Sequence, residues 1–265
     1  MTIKAVLFDL DDTLLWDERS VSEAFRNTCQ LASDETGLDV ETLEASVRKE
    51  ARAIYEKYET FTFTQMIGIN PFEALWGNFR KGEHEMFRKL EQLAPSYREN
   101  AWTAGLAALG VDNPALGRKL SEYFPAQRRS LPYVYDETFA VLDELRKDYK
   151  LLLLTNGSPD LQQEKLDGMP TLIPYFDAIV ISGDFGEGKP SPRLFAHAME
   201  RIGITAEEGV MVGDKLTTDI LGANGVGMAS IWINRHDAKL SGEIVPKHEI
   251  RSLTELPDLL KKINQ

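Results

Sequence analysis

The chain has 265 residues, of which 43% are hydrophobic, and its 30 basic and 42 acidic residues give a net charge of −12. This is enough apolar material for a substantial core, in one large domain or one domain with an insertion. The negative charge argues against nucleic acid and anionic membranes as partners. No apolar run approaches the length of a membrane span, the N-terminus has no signal-peptide pattern and Cys29 is the only cysteine, so we expect a cytoplasmic protein without disulfides.

A short apolar run near the N-terminus ends in a pair of carboxylates. Residues 3–8 are almost all apolar and too few for a helix, which predicts a strand buried on both faces, as in a parallel sheet. Asp9 and Asp11 come directly after this strand, and ligands of open α/β sheets bind beyond the carboxyl ends of the strands. The two carboxylates would repel each other without a cation between them, and Mg²⁺ is the natural candidate. The alternative is an acidic turn in which Asp12 and Thr13 cap a following helix.

Residues 17–130 show helical periodicity and no alternation of strands with helices. This pattern predicts an all-helical cap domain, inserted into a core domain made of residues 1–16 and 131–265. The chain would pass between these domains twice, so the two crossings could act as the hinge of a lid that opens and closes. The alternative is a helical domain that stays docked.

From residue 131 onward the pattern changes to strands that alternate with helices, which is typical of βαβ units. Together with the first strand, this alternation predicts a Rossmann-like α/β core with a parallel sheet and helices on both faces. Strands are predicted at 151–154, 178–181, 209–212, 228–233 and 248–250, and helices at 134–147, 159–166, 192–202, 217–224 and from 255 onward. Ser191 is expected to cap the helix that starts at Pro192.

Polar segments follow two more of the predicted strands, and another lies between them. Thr155 and Asn156 follow the strand at 151–154, Lys189 lies between glycines and prolines in the segment 186–192, and Asp214 follows the strand at 209–212. With residues 9–13, these segments resemble, in order and spacing, the motifs of the haloacid dehalogenase (HAD) superfamily of phosphohydrolases. The resemblance covers essentially the whole chain and implies a HAD-like fold with a helical cap.

The resemblance implies how the first and last motifs act. Asp9 is the expected nucleophile, which forms an aspartyl-phosphate, and Asp11 is the expected general acid and then general base. Mg²⁺ would be bound by Asp9, by the backbone carbonyl of Asp11 and by Asp214. Lys215 departs from the small polar residue often found after this last aspartate, and we expect it to point to solvent.

The middle motifs are expected to bind the phosphate. The Thr155 hydroxyl and Asn156 would bind phosphate oxygens, although Asn-Gly pairs are also common in simple turns. Lys189 would balance the charge of the nucleophile and of the transferring phosphoryl group, whereas a lone lysine is usually a solvated surface residue. Asp219 is expected behind the metal site, where it orients Lys189 or a metal-bound water.

These roles predict a Mg²⁺-dependent phosphomonoester hydrolase that acts on a small phosphorylated metabolite. The large cap and the form of residues 9–13 are most similar to bacterial phosphoserine phosphatases, which makes L-phosphoserine, and a role in serine biosynthesis, the preferred prediction. A basic cap residue such as Arg80, Arg128 or Arg129 would then pair with the substrate carboxylate. Acylneuraminate phosphates, sugar phosphates and nucleoside monophosphates are the alternative substrates.

Other activities of this fold remain as alternatives. Sugar phosphomutases share Asp11, so the sequence does not exclude one, and a non-catalytic binding module would keep the fold without turnover. Hydrolytic dehalogenases of the superfamily lack the second aspartate, so Asp11 argues against that reaction.

Overall fold

The computed structural model describes residues 2–240 and 242–265, and the chain forms two compact units. We call Met1–Asp17, Val134–Gly157 and Met169–Gln265 the sheet unit, and Glu18–Tyr133 together with Ser158–Gly168 the helical unit. The second piece of the helical unit, Ser158–Gly168, falls in the range that the sequence analysis assigned to the core domain. The chain therefore passes between these two units four times.

The helical unit consists of helices around a core rich in aromatic side chains. The helices are α1 (Asp17–Thr36), α2 (Val40–Tyr55), α3 (Phe61–Ile67), α4 (Pro71–Ala74), α5 (Glu85–Ala107), α6 (Pro114–Ser130) and α8 (Pro159–Asp167). Phe25, Trp102 and Phe124 contact one another in this core. Leu161 on α8 is buried in the same core, which explains why α8 joins the helical unit. In the described part of the chain, no helix combines the length and apolar character that a membrane crossing demands.

The sheet unit is built on six parallel strands, which confirms the predicted Rossmann-like α/β core. The strands are β1 (Ala5–Phe8), β2 (Lys150–Thr155), β3 (Ala178–Ile181), β4 (Gly209–Gly213), β5 (Ala229–Ile233) and β6 (His248–Ile250), in the order β3-β2-β1-β4-β5-β6. The side chains of β1, of β4 and of all but the first residue of β2 are buried, as expected for central strands covered on both faces. Because β1 pairs with β2 on one side and β4 on the other, the carboxyl ends of these three strands lie side by side.

The remaining helices belong to the sheet unit. They are α7 (Thr138–Leu145), α9 (Ser182–Phe185), α10 (Pro192–Ile202), α11 (Leu221–Gly225) and α12 (Leu256–Ile263), with 3₁₀ turns at Ile173–Tyr175, Ala206–Glu208 and Leu253–Glu255. A π-helical turn, Leu216–Ile220, precedes α11, so the helix predicted at 217–224 is two elements. The prediction that the Ser191 side chain caps α10 is wrong, because its hydroxyl donates to Glu187 Oε2 at 2.5 Å.

Candidate active site

The turn after β1 places Asp9 at the carboxyl edge of the sheet. Asp9 is buried, and its N–H extends the pairing of β1 with β4 by donating to Val212 O at 2.9 Å. The chain then turns back at Asp12, which has a left-handed φ of 59° that aspartate tolerates better than most residues. The next helix begins only at Asp17, so the alternative in which Asp12 and Thr13 cap a helix directly after β1 is wrong.

The ammonium group of Lys189 joins three oxygen atoms at this edge. Its Nζ lies 2.5 Å from Asp9 Oδ1, 2.8 Å from Asp219 Oδ1 and 2.7 Å from the backbone oxygen of Leu154. The contacts with Asp9 and with Leu154 O are hydrogen bonds, and the contact with Asp219 is an ion pair. The Lys189 side chain is 2% exposed. Lys189 is therefore a buried partner of the predicted nucleophile and not a solvated surface lysine.

Asn156 holds the backbone of Lys189 in place. The Asn156 Nδ2 donates to Lys189 O at 3.0 Å, and the Lys189 N–H donates to Asn156 Oδ1 at 2.7 Å. The Asn156 side chain is thus engaged in bracing the lysine. Thr155 is fully buried at the end of β2. The prediction that Thr155 and Asn156 bind phosphate stays a prediction.

Ser182 also contacts the turn that follows β2. The Gly157 N–H donates to Ser182 Oγ at 2.9 Å, and the Ser182 hydroxyl lies 3.3 Å from Gly157 O. Ser182 is fully buried where β3 passes into α9. Sequence reasoning missed this serine, because a single serine after a strand carries no distinctive pattern. The turn after β2 is therefore held by two polar side chains, those of the partly buried Asn156 and the fully buried Ser182.

Asp214 and Asp219 complete a group of carboxylates. Asp214 directly follows β4, and Asp219 lies in the π-helical turn, with its Oδ2 accepting the Lys215 N–H at 3.1 Å. One carboxylate oxygen each from Asp9, Asp214 and Asp219 lies within 4.8 Å of the others. Gly213 leaves the space for this arrangement, because a Cβ there would lie 2.4 Å from the Asp219 carboxylate. Asp219, predicted behind the metal site, is thus both a member of the cluster and an ion-pair partner of Lys189.

Burial and the charges of neighbouring groups shift the pKa values of the residues in this cluster. Burial raises the pKa of Asp9 above its ordinary value, against the attraction of the Lys189 ammonium. Burial also raises the pKa of Asp214 well above its ordinary value, and the nearby charges of Asp9 and Asp219 add to the rise. Burial by itself would lower the pKa of Lys189, but attraction to Asp219 and Asp9 outweighs it and holds the pKa above its ordinary value.

This donor set fits a hard divalent cation. Carboxylate oxygens are the ligands that Mg²⁺ prefers, and one ammonium cannot balance three ionised carboxylates. Asp214 Oδ1 is buried and has no hydrogen-bond partner among the described residues. Burying such an oxygen costs free energy, and a bound cation would offset this cost. A bound cation would also relieve the repulsion that raises the pKa values of Asp9 and Asp214.

Two further predicted residues lie outside the three-carboxylate cluster. Asp11 is not among its members, and the predicted contact of its backbone carbonyl with a metal stays a prediction. Lys215 is exposed, as predicted, and its charge offsets a small part of the rise in the pKa values of Asp9 and Asp214. Lys215 therefore contributes a weak positive field at the site without entering it.

Similar proteins match this chain over nearly its whole length. The sequence model of the haloacid dehalogenase-like hydrolases matches residues 3–227. A phosphoserine phosphatase from Thermus thermophilus is 35% identical over 258 residues, which cover 96% of this chain and 98% of that protein. An N-acylneuraminate-9-phosphatase from Mus musculus is 30% identical over an alignment of 266 positions, which covers 99% of this chain and 95% of that protein.

A solved structure shows the same architecture. The protein YfnB from Bacillus subtilis, described as a HAD-hydrolase, is 25% identical and superposes with a TM-score of 0.64 over 98% of this chain and 99% of YfnB. Its crystal structure is bound to magnesium and reveals interdomain movement in that protein.

Proposed function

This chain belongs to the haloacid dehalogenase-like hydrolases, and on that premise we propose that it is a Mg²⁺-dependent phosphomonoesterase that forms an aspartyl-phosphate on Asp9. The predicted family and the predicted enzyme class, a phosphoric monoester hydrolase, are confirmed. The cluster of Asp9, Asp214, Asp219 and Lys189 at the carboxyl edge of the sheet is the observation that supports the proposed mechanism most.

Asp9 acts in the first displacement. Its carboxylate attacks phosphorus, and the bond from phosphorus to the ester oxygen breaks. Asp11 donates its carboxyl proton to that oxygen, so the alcohol leaves neutral. The Lys189 ammonium, 2.5 Å from Asp9 Oδ1, favours the ionised nucleophile and offsets the charge of the transferring phosphoryl group.

Asp11 changes role in the second displacement. Its carboxylate, now without the proton, takes one from a water molecule that attacks the phosphorus of the aspartyl-phosphate. The bond from phosphorus to Asp9 breaks and inorganic phosphate leaves, so Asp9 and Asp11 return to their starting states. Lys189 stays in place throughout, because Asn156 and Asp219 hold its backbone and its ammonium.

Asp9, Asp214 and the backbone carbonyl of Asp11 are the proposed ligands of Mg²⁺. The metal, when bound, supplies positive charge that offsets the repulsion between the carboxylates and the substrate phosphate. The magnesium bound to the similar YfnB supports the choice of Mg²⁺ as the metal.

Removal of the metal gives a direct test. We expect EDTA to reduce phosphate release to background and excess Mg²⁺ to restore it, because Asp9 and the phosphate would otherwise repel each other. Mg²⁺ should also raise the melting temperature of the wild-type protein, since a ligand that binds only the folded state stabilises it. Full activity after complete chelation would contradict the proposed metal dependence.

L-phosphoserine is the proposed substrate. The similarity to the Thermus thermophilus phosphoserine phosphatase supports it, and the similarity to the murine enzyme favours N-acylneuraminate 9-phosphate as the second candidate. Both compounds carry a carboxylate in addition to the phosphate, so either requires a cation that pairs with this second anion. A panel of phosphoserine, N-acylneuraminate 9-phosphate, nucleoside monophosphates and sugar phosphates, compared by kcat/KM, separates these candidates.

Two of the three arginines considered as this cation are already engaged within the helical unit. Arg128 is buried, bonds Ser20 and lies over the Trp76 ring at 4.7 Å. Arg129 bonds Glu164 and donates to Trp76 O at 3.1 Å. Their guanidinium groups therefore hold the helical unit together.

Arg80 is the remaining candidate, since its side chain is 74% exposed and lies 3.9 Å from Glu91. We expect Arg80→Ala to raise the KM for phosphoserine about tenfold, because the variant loses roughly one charge-assisted hydrogen bond to the substrate. The KM for glycerol phosphate, which lacks a carboxylate, should stay the same in steady-state assays. Arg118→Ala is the matched control, because Arg118 is also exposed on the helical unit and pairs with Glu99. An equal rise of both KM values in Arg80→Ala would rule out recognition of the carboxylate.

A further inference from the structure

A buried tryptophan contacts the backbone of the proposed metal ligand Asp214. Trp232 lies on β5 beside Gly213, the last residue of β4, and is 5% exposed. Its indole Nε1–H donates to the backbone oxygen of Asp214 at 2.7 Å. None of the proposed catalytic steps uses this side chain.

The same peptide group is held from its other side. The carbonyl of Asp214 accepts from Trp232, and the N–H of the next residue, Lys215, donates to Asp219 Oδ2 at 3.1 Å. A peptide group is planar, so two hydrogen bonds to its oxygen and its N–H fix the orientation of the plane. The backbone is therefore clamped at the point where the Asp214 side chain leaves it.

We propose that Trp232 is a positioning residue that holds Asp214 in the geometry needed to bind the divalent cation. The proposal rests on the magnesium site proposed above. Asp214 Oδ1 has no hydrogen-bond partner among the described residues, so the side chain itself is not oriented by such a bond to that atom. Its direction then depends on the backbone, which the indole and Asp219 clamp. Groups behind metal ligands commonly change metal affinity 10- to 100-fold, roughly, when they are removed.

The residues that hold this peptide group are also linked by contacts to the proposed nucleophile, Asp9. Asp219 uses Oδ2 for the clamped peptide and Oδ1 for Lys189, which in turn contacts Asp9. Trp232 is thus the buried end of a series of contacts that runs through the Asp214 backbone to Asp9. If the Asp214–Lys215 peptide group were held less firmly, metal binding would weaken first. Lys189 would still contact Asp9 and Leu154 O.

Isothermal titration of the purified full chain with Mg²⁺ tests the proposal. We expect Trp232→Phe, which keeps a buried ring but loses the N–H donor, to bind Mg²⁺ about tenfold more weakly than wild type. Its kcat at saturating Mg²⁺ should stay within about threefold of wild type, since the chemistry itself is intact. Trp102→Phe is the matched control, because Trp102 is fully buried and its Nε1 has no hydrogen-bond partner among the described residues. Its Mg²⁺ affinity should equal that of wild type.

The possible outcomes distinguish a failure of the Trp232 proposal from a failure of the proposed magnesium site. Wild type that binds no Mg²⁺ would overturn both. Wild type that binds, with Trp232→Phe within about twofold of it, would overturn the role of Trp232 alone. If Trp232→Phe does not fold, ¹⁵N-tryptophan labelling of the wild type, which has four tryptophans, gives a second measurement. The indole resonance of Trp232 should shift on Mg²⁺ addition and that of Trp102 should not; an unshifted Trp232 resonance would overturn the proposal.

Discussion

Replacement of Asp9 by asparagine is expected to lower kcat/KM for phosphate release by at least about 10⁴-fold. The amide has nearly the same shape, but it is not an anionic nucleophile and binds Mg²⁺ poorly. The fold should remain, because Lys189 keeps its ion pair with Asp219 and its hydrogen bond to Leu154 O. Phosphate release, measured beside circular dichroism and thermal unfolding of the same preparation, separates lost chemistry from lost structure.

Asp12→Asn is the matched control for this variant. Asp12 lies in the same turn but outside the carboxylate cluster, and asparagine also tolerates its left-handed φ of 59°. We expect its kcat/KM to stay within about threefold of wild type. Asp9→Asn protein that still turns over at the wild-type rate would overturn the aspartyl-phosphate mechanism. An equal loss in both variants would show that the turn tolerates no change, and Asp9 would then need another test.

Lys189→Met is expected to have the second-largest effect, on both activity and stability. Without the ammonium, the buried carboxylates of Asp9 and Asp219 would face each other with no counter-charge. Loss of one partner from a buried ion pair typically costs about 3–5 kcal/mol of unfolding free energy. We expect a loss of that order in urea unfolding and a fall in kcat/KM of at least about 10³-fold, because the nucleophile and the phosphoryl group lose their positive partner.

The helical unit offers a matched control for Lys189→Met. Lys165 is also buried, and its Nζ lies 3.2 Å from Glu73 Oε1 within that unit. Lys165→Met should cost a similar amount of unfolding free energy while the folded protein keeps its kcat. If both variants lose activity equally at the same folded fraction, the loss reflects general destabilisation and Lys189 has no special role. If Lys189→Met keeps wild-type turnover, the charge-balancing role of Lys189 is wrong.

The site illustrates how much a pattern of residues can establish. Asp9, Thr155 and Asp214 each follow a short apolar run, and such runs form the buried central strands of a parallel sheet. Because parallel strands end at the same edge, this pattern places all three residues at one edge of the sheet. The strand positions and the Rossmann-like core followed from the same apolar runs.

The helical piece after β2 shows where sequence patterns stop being informative. Its apolar periodicity predicted α8 correctly, but this periodicity is the same whether the helix packs against the sheet unit or the helical unit. Only the burial of Leu161 in the aromatic core assigns α8 to the helical unit. The same limit applies to Ser191, whose position predicted a helix cap while its hydroxyl bonds Glu187.

The sequence by itself therefore determined the family, the parallel sheet and the residue types that meet at its edge, because these depend on local apolar periodicity and on motif order. Only the tertiary structure decided the hydrogen-bond partners of Asn156, Ser182 and Trp232, which lie 33, 25 and 18 positions away along the chain. A hydrogen bond requires a donor and an acceptor within about 3 Å in a suitable direction. Nothing in the local sequence reports such distances, since they arise only when the strands pair and the turns between them close.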